Sequence, residues 1–434
     1  MAREATVDTT ARLEIKTCRS DTWLVKMTLL VTSTLTVMAG AIIAPSLPAM
    51  QENFATVPNS DFWVRLVLTM PALFIVFGAP FAGMIVDRFG RKRLLIFAAL
   101  LYGLAGSAGY LLPSLTALLV SRALLGLSVA GLMTSVTTLI ADYYDGPARA
   151  RILGFQAAFM GLGGTVFLTT GGFLADLDWR NPFLIYLFAF AILPFIVMVL
   201  FEPRRQRDDE PIVPVYSPED CVAEAQRYRD ATADVTAKTK AHTEPQVPVK
   251  LLLFIYSMIF VTQIAFYLIP VQLPFYLEAL VRASAAQSGF AVSVTPFCFA
   301  SGALLSARIS QRLAHIPLVS FSLVLASLGF IIIGMVESYY LMFSGLALVG
   351  LGFGFMIPHL SAWLASAIPE SFRGSALGGL TTFTFLGQFL SPIVAQPVIQ
   401  QFNLNGMYLM AGGLLCVCGI VVAAVFGLRT LRSS

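Results

Sequence analysis

Charge is what this sequence has least of. Of its 434 residues only 12% are Asp, Glu, Lys or Arg, about half the share of an ordinary soluble domain. Hydrophobic residues make up 57% and mean hydropathy is +0.80, which excludes a soluble enzyme, a disordered regulator and a nucleic-acid binder. The formal net charge of +4 is small for this length and is no argument for nucleic acid. Cysteine is scarce too: Cys18, Cys221, Cys298, Cys416 and Cys418 show no zinc or cluster spacing and read as small apolar residues. No nucleophile–base set, phosphate loop or metal cluster is present, so neither enzymatic activity nor a cofactor is expected. The polar N-terminus lacks an apolar core followed by a small-residue cleavage site, so the first apolar run is expected to stay in the protein.

What is present is apolar sequence in pieces long enough to cross a bilayer, about 20 residues each. Twelve such stretches are read: 24–49, 63–86, 94–112, 115–140, 152–175, 182–201, 251–277, 287–309, 317–336, 340–364, 375–398 and 407–428. The expected organisation is an all-α membrane protein with twelve transmembrane helices. A polar tail over 1–23 comes first, six spans lie within 24–201, and a polar linker fills 202–249. Six more spans fall within 250–428, followed by a short tail over 429–434. In the linker, Ser217-Pro218-Glu219-Asp220 resembles a helix start, with Ser as cap and Pro in the first turn. Lys and Arg set the orientation: only Arg65, Arg180 and Arg282 fall in one set of loops and Arg122 lies within a span, so both termini and the linker are expected in the cytoplasm.

The two halves repeat. At one fixed offset Gly126-Leu127 meets Gly350-Leu351, Arg149 meets Arg373, Leu153-Gly154 meets Leu377-Gly378, and Arg88 meets Arg312. Two six-helix bundles related by a pseudo-twofold axis are the architecture such a parallel repeat builds, with a binding site near the midplane between them.

The loop after the second span reads Gly83-Met84-Ile85-Val86-Asp87-Arg88-Phe89-Gly90-Arg91-Lys92-Arg93 and resembles the signature of the major facilitator superfamily. The resemblance covers both bundles. It implies a conformational latch of Gly83, Asp87, Arg88, Gly90 and Arg91, whose basic residues pair with Asp142 at the end of the fourth span. In the second half the signature has decayed to Ala307…Gln311-Arg312-Leu313-Ala314-His315. Span 1 ends Ala44-Pro45-Ser46-Leu47-Pro48, which together with Arg149–Gly154 and Asp178–Phe183 is similar to the twelve-span drug:proton antiporters. Span 5 keeps that subfamily's Gly163, Gly171 and Gly172 but has Phe167-Leu168 where Gly-Pro is expected.

Candidate functional residues are few. Arg122 in a span needs a reason, since a buried Arg costs about 2.5–3.5 kcal/mol on insertion scales: it meets cavity or substrate, or it snorkels outward. The apolar interiors hold no Asp or Glu, leaving Asp61, Glu278, Asp87 and Asp142 at helix ends and His359 inside for a proton. His359 either couples or bonds a carbonyl freed by Pro358. Gln263, Gln272 and Gln388 line the cavity or join helices. Pro45, Pro48, Pro270, Pro274 and Pro358 are candidate hinges and gates. The expected activity is export of small, partly apolar molecules by alternating access in exchange for protons. The expected setting is a bacterial inner membrane, with substrate, protons and lipids as partners and the chain acting as a monomer. Two alternatives stay open: a carrier of an anionic metabolite or siderophore held by Arg122, and a non-transporting receptor.

Overall fold

In hydrocarbon every backbone N–H and C=O must be satisfied within the structure, and helices do this segment by segment. The computed structural model describes residues 22–203, 248–309 and 315–432, which form helices joined by turns and short irregular stretches. The helix expected after Ser217 and part of the second-half signature loop lie outside the described residues.

The first apolar run folds as α1 (Trp23–Ala41), a 3₁₀ turn (Ala44–Ser46) and the short α2 (Leu47–Asn53). It is not one straight span, because Pro45 and Pro48 each remove a backbone donor. Then come α3 (Ser60–Phe89), α4 (Arg91–Ala108), α5 (Leu115–Tyr143) and α6 (Gly146–Leu177). The sixth predicted span starts as a 3₁₀ segment (Asn181–Leu187) and becomes α7 (Phe188–Val199). The turn before it is built by Asp178, which accepts the Arg180 N–H at 2.7 Å. Trp179 there packs edge-on against Phe54 and Phe183. After the linker follow α8 (Val249–Val281), α9 (Ala285–Ile309), α10 (His315–Met335), α11 (Tyr339–Ala367) and α12 (Glu370–Arg432).

Spans 375–398 and 407–428, expected as separate helices, lie in the single 63-residue run of α12, broken at Asn403 (φ 61°, ψ −179°). Unbroken, that run would be about 95 Å long at 1.5 Å per residue, far beyond one bilayer. Ten helical stretches among the described residues are long and apolar enough to cross a membrane; α4, opening with Arg91-Lys92-Arg93, is not one of them.

Helix contacts follow the internal repeat. In the first half α3 packs on α5, α4 on α5 and α7, and α1 on α6. The second half matches with α9 on α11, α10 on α11 and α12, and α8 on α12. The most extensive contacts between the halves are α6 with α9 and α3 with α12, with smaller ones from α8 to α2 and from α8 and α9 to the 3₁₀ turn. The first is a backbone-to-backbone approach: a Cβ on Gly172 would stand 2.7 Å from the Ala285 carbonyl oxygen, and one on Gly171 would stand 2.3 Å from that of Ile42. Close packing of the fifth span is thus kept without the Gly-Pro pair.

Arg122 has a structural explanation. Helix α4 ends at Ala108, so the carbonyls of its last turn lack intrahelical donors. From α5, Arg122 Nη2 donates to the Ala105 and Gly106 carbonyls at 3.1 and 2.7 Å, and its positive charge meets the negative end of the helix dipole. Its guanidinium lies 4.9 and 5.0 Å from the Phe183 and Tyr186 rings. The residue is fully buried and does not snorkel. Tyr102 and Tyr186 extend the network, donating to the Leu35 and Ala39 carbonyls of α1 at 2.7 and 3.1 Å. Replacing Arg122 by Leu is expected to cost roughly 1.5–3 kcal/mol, the range for a lost hydrogen bond to a charged group. The readout is a thermal unfolding midpoint lower by several degrees; an unchanged midpoint would show that the cap contributes nothing.

Candidate functional site

A cavity of about 350 Å³ lies where the two halves of the sequence meet. The first half supplies Thr36, Val37 and Gly40 of α1, Met133 of α5, and Ala157 to Leu168 along one face of α6. Helix α8 supplies Gln263, Phe266, Tyr267 and Pro270, and α9 supplies Thr295, Pro296 and Phe299. Ile357 of α11 and Phe385 and Gln388 of α12 complete the wall. Among the described lining residues there is no Asp, Glu, Lys, Arg or His.

The polar groups are few and uncharged. Gln388 Nε2 donates to Gln263 Oε1 across α12 and α8 at 3.4 Å. Thr36 is spent on its own helix, donating to the Ser33 carbonyl at 2.7 Å. Thr295 Oγ1 is buried with no hydrogen-bond partner among the described residues. Ring faces are worth about 0.5–2 kcal/mol to a cation, less than the roughly 2.5–3.5 kcal/mol that a charge costs at the centre of a membrane helix.

One end of the cavity is sealed by contacts that cross between the halves. At the start of α3, Arg65 is 6% exposed, not in a loop as the charge pattern implied. Its Nε donates to Gln272 Oε1 of α8 at 2.8 Å and its guanidinium stacks 4.2 Å over Phe275. Arg65 Nη1 also donates to Gln51 Oε1 at 3.3 Å and to the Asp61 carbonyl. The Asp61 carboxylate accepts from Gln396 Nε2 of α12. Asp176, at the end of α6, accepts from Ser284 Oγ at 3.0 Å and from the Ala286 N–H at 3.1 Å, capping the start of α9. A Cβ on Gly289 of α9 would come within 3.1 Å of Pro45, so this proline lies inside the seal.

At the opposite end the signature loop is held by residues of the first half. Arg91 pairs with Asp142 at 3.0 Å, the partner expected from the signature. Helix α4 is capped by Glu202, whose carboxylate accepts from the Arg91 and Lys92 N–H groups at 2.6 and 2.8 Å. Gly90 makes this possible with φ 97° and no side chain; a Cβ there would stand 2.7 Å from Glu202 Oε1. Asp87 and Arg88 are exposed, and Gly83 is half-buried.

Of the predicted cavity residues, then, Gln263 and Gln388 line the cavity, and Gln272, Arg122 and His359 do not. Gln272 belongs to the seal. Arg122 is enclosed in the α4 cap, so an anionic cargo loses the contact proposed for it. His359 is not among the cavity lining: its Nε2 lies 3.1 Å from His315 Nδ1, and His315 stacks on Trp363 at 4.6 Å. Pro270 lines the cavity, while Pro274 and Pro358 lie within α8 and α11. Glu278 is exposed at the end of α8. Sequence reasoning missed Arg65, Glu202, Asp176, Tyr267 and Thr295. Arg65 carried the same signal as Arg122, an arginine inside an apolar run, hidden by its nearness to the span's edge.

Residues 29–280 and 255–433 match the Major Facilitator Superfamily. The chain is 25% identical to Multidrug resistance protein 1 of Bacillus subtilis (strain 168), over 73% of this chain and 75% of that protein. It is 21% identical to the Quinolone resistance protein NorA of Staphylococcus aureus (strain MRSA252), over 88% of this chain and 92% of that protein. Among solved structures it is similar to the D-xylose-proton symporter, with TM-score 0.72 and 14% identity over 92% of this chain and 97% of that one. A family match on both halves, joined to a cavity between them, leads to one conclusion: the chain belongs to the Major Facilitator Superfamily of membrane transporters.

Proposed function

We propose that this carrier exports small, partly apolar molecules, with protons moving inward as cargo moves out. Twelve crossings form two bundles over 24–201 and 250–428, and α12 supplies the last two on either side of Asn403. The observation that carries the reading is the difference between the two ends of the cavity. At one end Arg65–Gln272, Asp61–Gln396 and Asp176–Ser284 tie the halves together. At the other, Arg91–Asp142 and the Glu202 cap are internal to the first half. With termini and linker in the cytoplasm, as the Lys and Arg distribution supports, this is the inward-facing state of an alternating-access cycle in a bacterial inner membrane.

The apolar, aromatic wall supports a drug-like cargo, and the two relatives named for drug resistance support it independently. A single chain builds the whole cavity, which fits a monomer. Opening the sealed end must break the Arg65 and Asp61 contacts. The acids available to carry a proton are those at helix ends, and Asp61, gripped from both halves, changes partners when the seal opens. In the outward-facing state, Asp87, Arg88 and Arg91 with Asp142 latch the cytoplasmic side.

Three outcomes follow. Uptake of an apolar drug into inside-out proteoliposomes is expected to rise when the lumen is made acidic; indifference to the gradient would remove the proton from the cycle. Asp87→Asn is expected to lower transport at least ten-fold while the unfolding midpoint stays within about 2 °C, and full activity would refute the latch. Arg65→Ala removes a charged hydrogen bond worth about 1.5–3 kcal/mol, which moves the population roughly ten- to hundred-fold toward the outward-open state. Spin labels at Asn59 and Gln400, in a background without the native cysteines, are expected to report longer distances in that variant.

A further inference from the structure

We propose that the central cavity selects uncharged aromatic molecules bearing a hydrogen-bonding group and discriminates against permanent cations. This deepens the export reading above and rests on it.

The argument starts from what surrounds the cargo when water is excluded from the cavity. A cation held there needs a carboxylate to replace its hydration, and the described lining offers none. Of the described acids near the sealed end, Asp61 is engaged by Gln396 and Asp176 by Ser284 and Ala286, while Glu52 and Glu278 are exposed at the ends of α2 and α8. The described residues at the starts of α6 and α8, which line the cavity, add Arg149, Arg151 and Lys250 beside Asp145, and this basic mouth disfavours a cation. An anion would be drawn to that mouth, but it would meet no cation inside, because Arg122 is closed off in the α4 cap.

What remains fits a neutral molecule. Phe266, Phe299 and Phe385 offer ring faces, and aromatic cargo gains from stacking geometry beyond its buried area. The Gln263–Gln388 contact is long at 3.4 Å, so a cargo group can replace it without leaving a strong bond unmade. Each amide can both donate and accept, which suits a carbonyl, hydroxyl or sulfonamide. Thr295, whose buried hydroxyl has no hydrogen-bond partner among the described residues, belongs to the same wall.

The test uses one scaffold in two charge states: dansylamide, which is neutral, and its quaternised trimethylammonium counterpart, a permanent cation. Binding of each to the purified full chain in lipid nanodiscs is measured by equilibrium dialysis at pH 8, with empty nanodiscs subtracted. The neutral compound is expected to bind at least ten-fold more tightly. Gln263→Glu places a carboxylate in the wall and is expected to reverse the preference by ten-fold or more; Gln388→Glu does the same from the facing helix should the first variant fail to fold. Preference of the unaltered chain for the cation would overturn the inference and leave export standing. So would both variants folding with no change in the ratio. If neither compound binds, and no drug moves in the proteoliposome assay, the export reading falls and this inference falls with it.

Discussion

Close approach of backbones between α6 and α9 is the contact on which the arrangement depends. In a bilayer, apolar side chains gain little by leaving lipid for one another, so helices hold by packing that lipid cannot match. Gly172 lets α6 come against the start of α9, and Gly171, one residue earlier, lets it come against the end of α1. The fifth span is thereby fixed to its own half and to the other half at a single level. Asp176, one turn further on, adds hydrogen bonds at the same place. From that end the contact continues along both helices as far as Gly161, where a Cβ would stand 2.6 Å from the Ala300 Cβ, and the same two helices supply one wall of the cavity.

The charges at the helix ends share one logic, which is that Arg122, Glu202, Arg65 and Asp61 each complete a helix end or bridge two helices. Arg122 serves the last turn of α4 and Glu202 the first turn of the same helix. Arg65 and Asp61 tie α3 to α8 and α12. A charge placed this way meets dipoles and donors already aimed at it, so its desolvation is offset locally. The cavity, midway along the helices, has no helix ends to serve and accordingly carries no charge. Its polar character comes from amides and hydroxyls, which add direction to binding without demanding a counter-ion.

Much of this was legible in the residues. Apolar run lengths placed the helices, because bilayer thickness sets a length that few soluble segments reach. The signature loop and its repeat offset pointed to two halves, and Asp142 was found with Arg91 as the signature implied. What could not be read was which face each side chain presents. Gln263 and Gln272 lie nine positions apart on α8, two and a half turns, and end in different places: one in the cavity wall, the other on Arg65. Arg122 looked functional because an intramembrane arginine usually is. Only the three-dimensional position of the α4 terminus shows that a carbonyl pair, not a substrate, is its partner. Glu202 was read as the first residue of a linker, since nothing local ties it to a helix start more than a hundred residues away.

The uncharged wall bears on what powers the cycle. Moving one elementary charge across 100 mV is worth about 2.3 kcal/mol, against about 1.36 kcal/mol for a proton falling through one pH unit. Where cargo and cavity are both neutral, the voltage acts on the inward proton with nothing outbound to cancel it, and each exchange is electrogenic. A carrier so built keeps working when the medium outside reaches the pH of the cytoplasm, drawing on membrane potential alone, and stalls only when the pH difference and the potential are both lost.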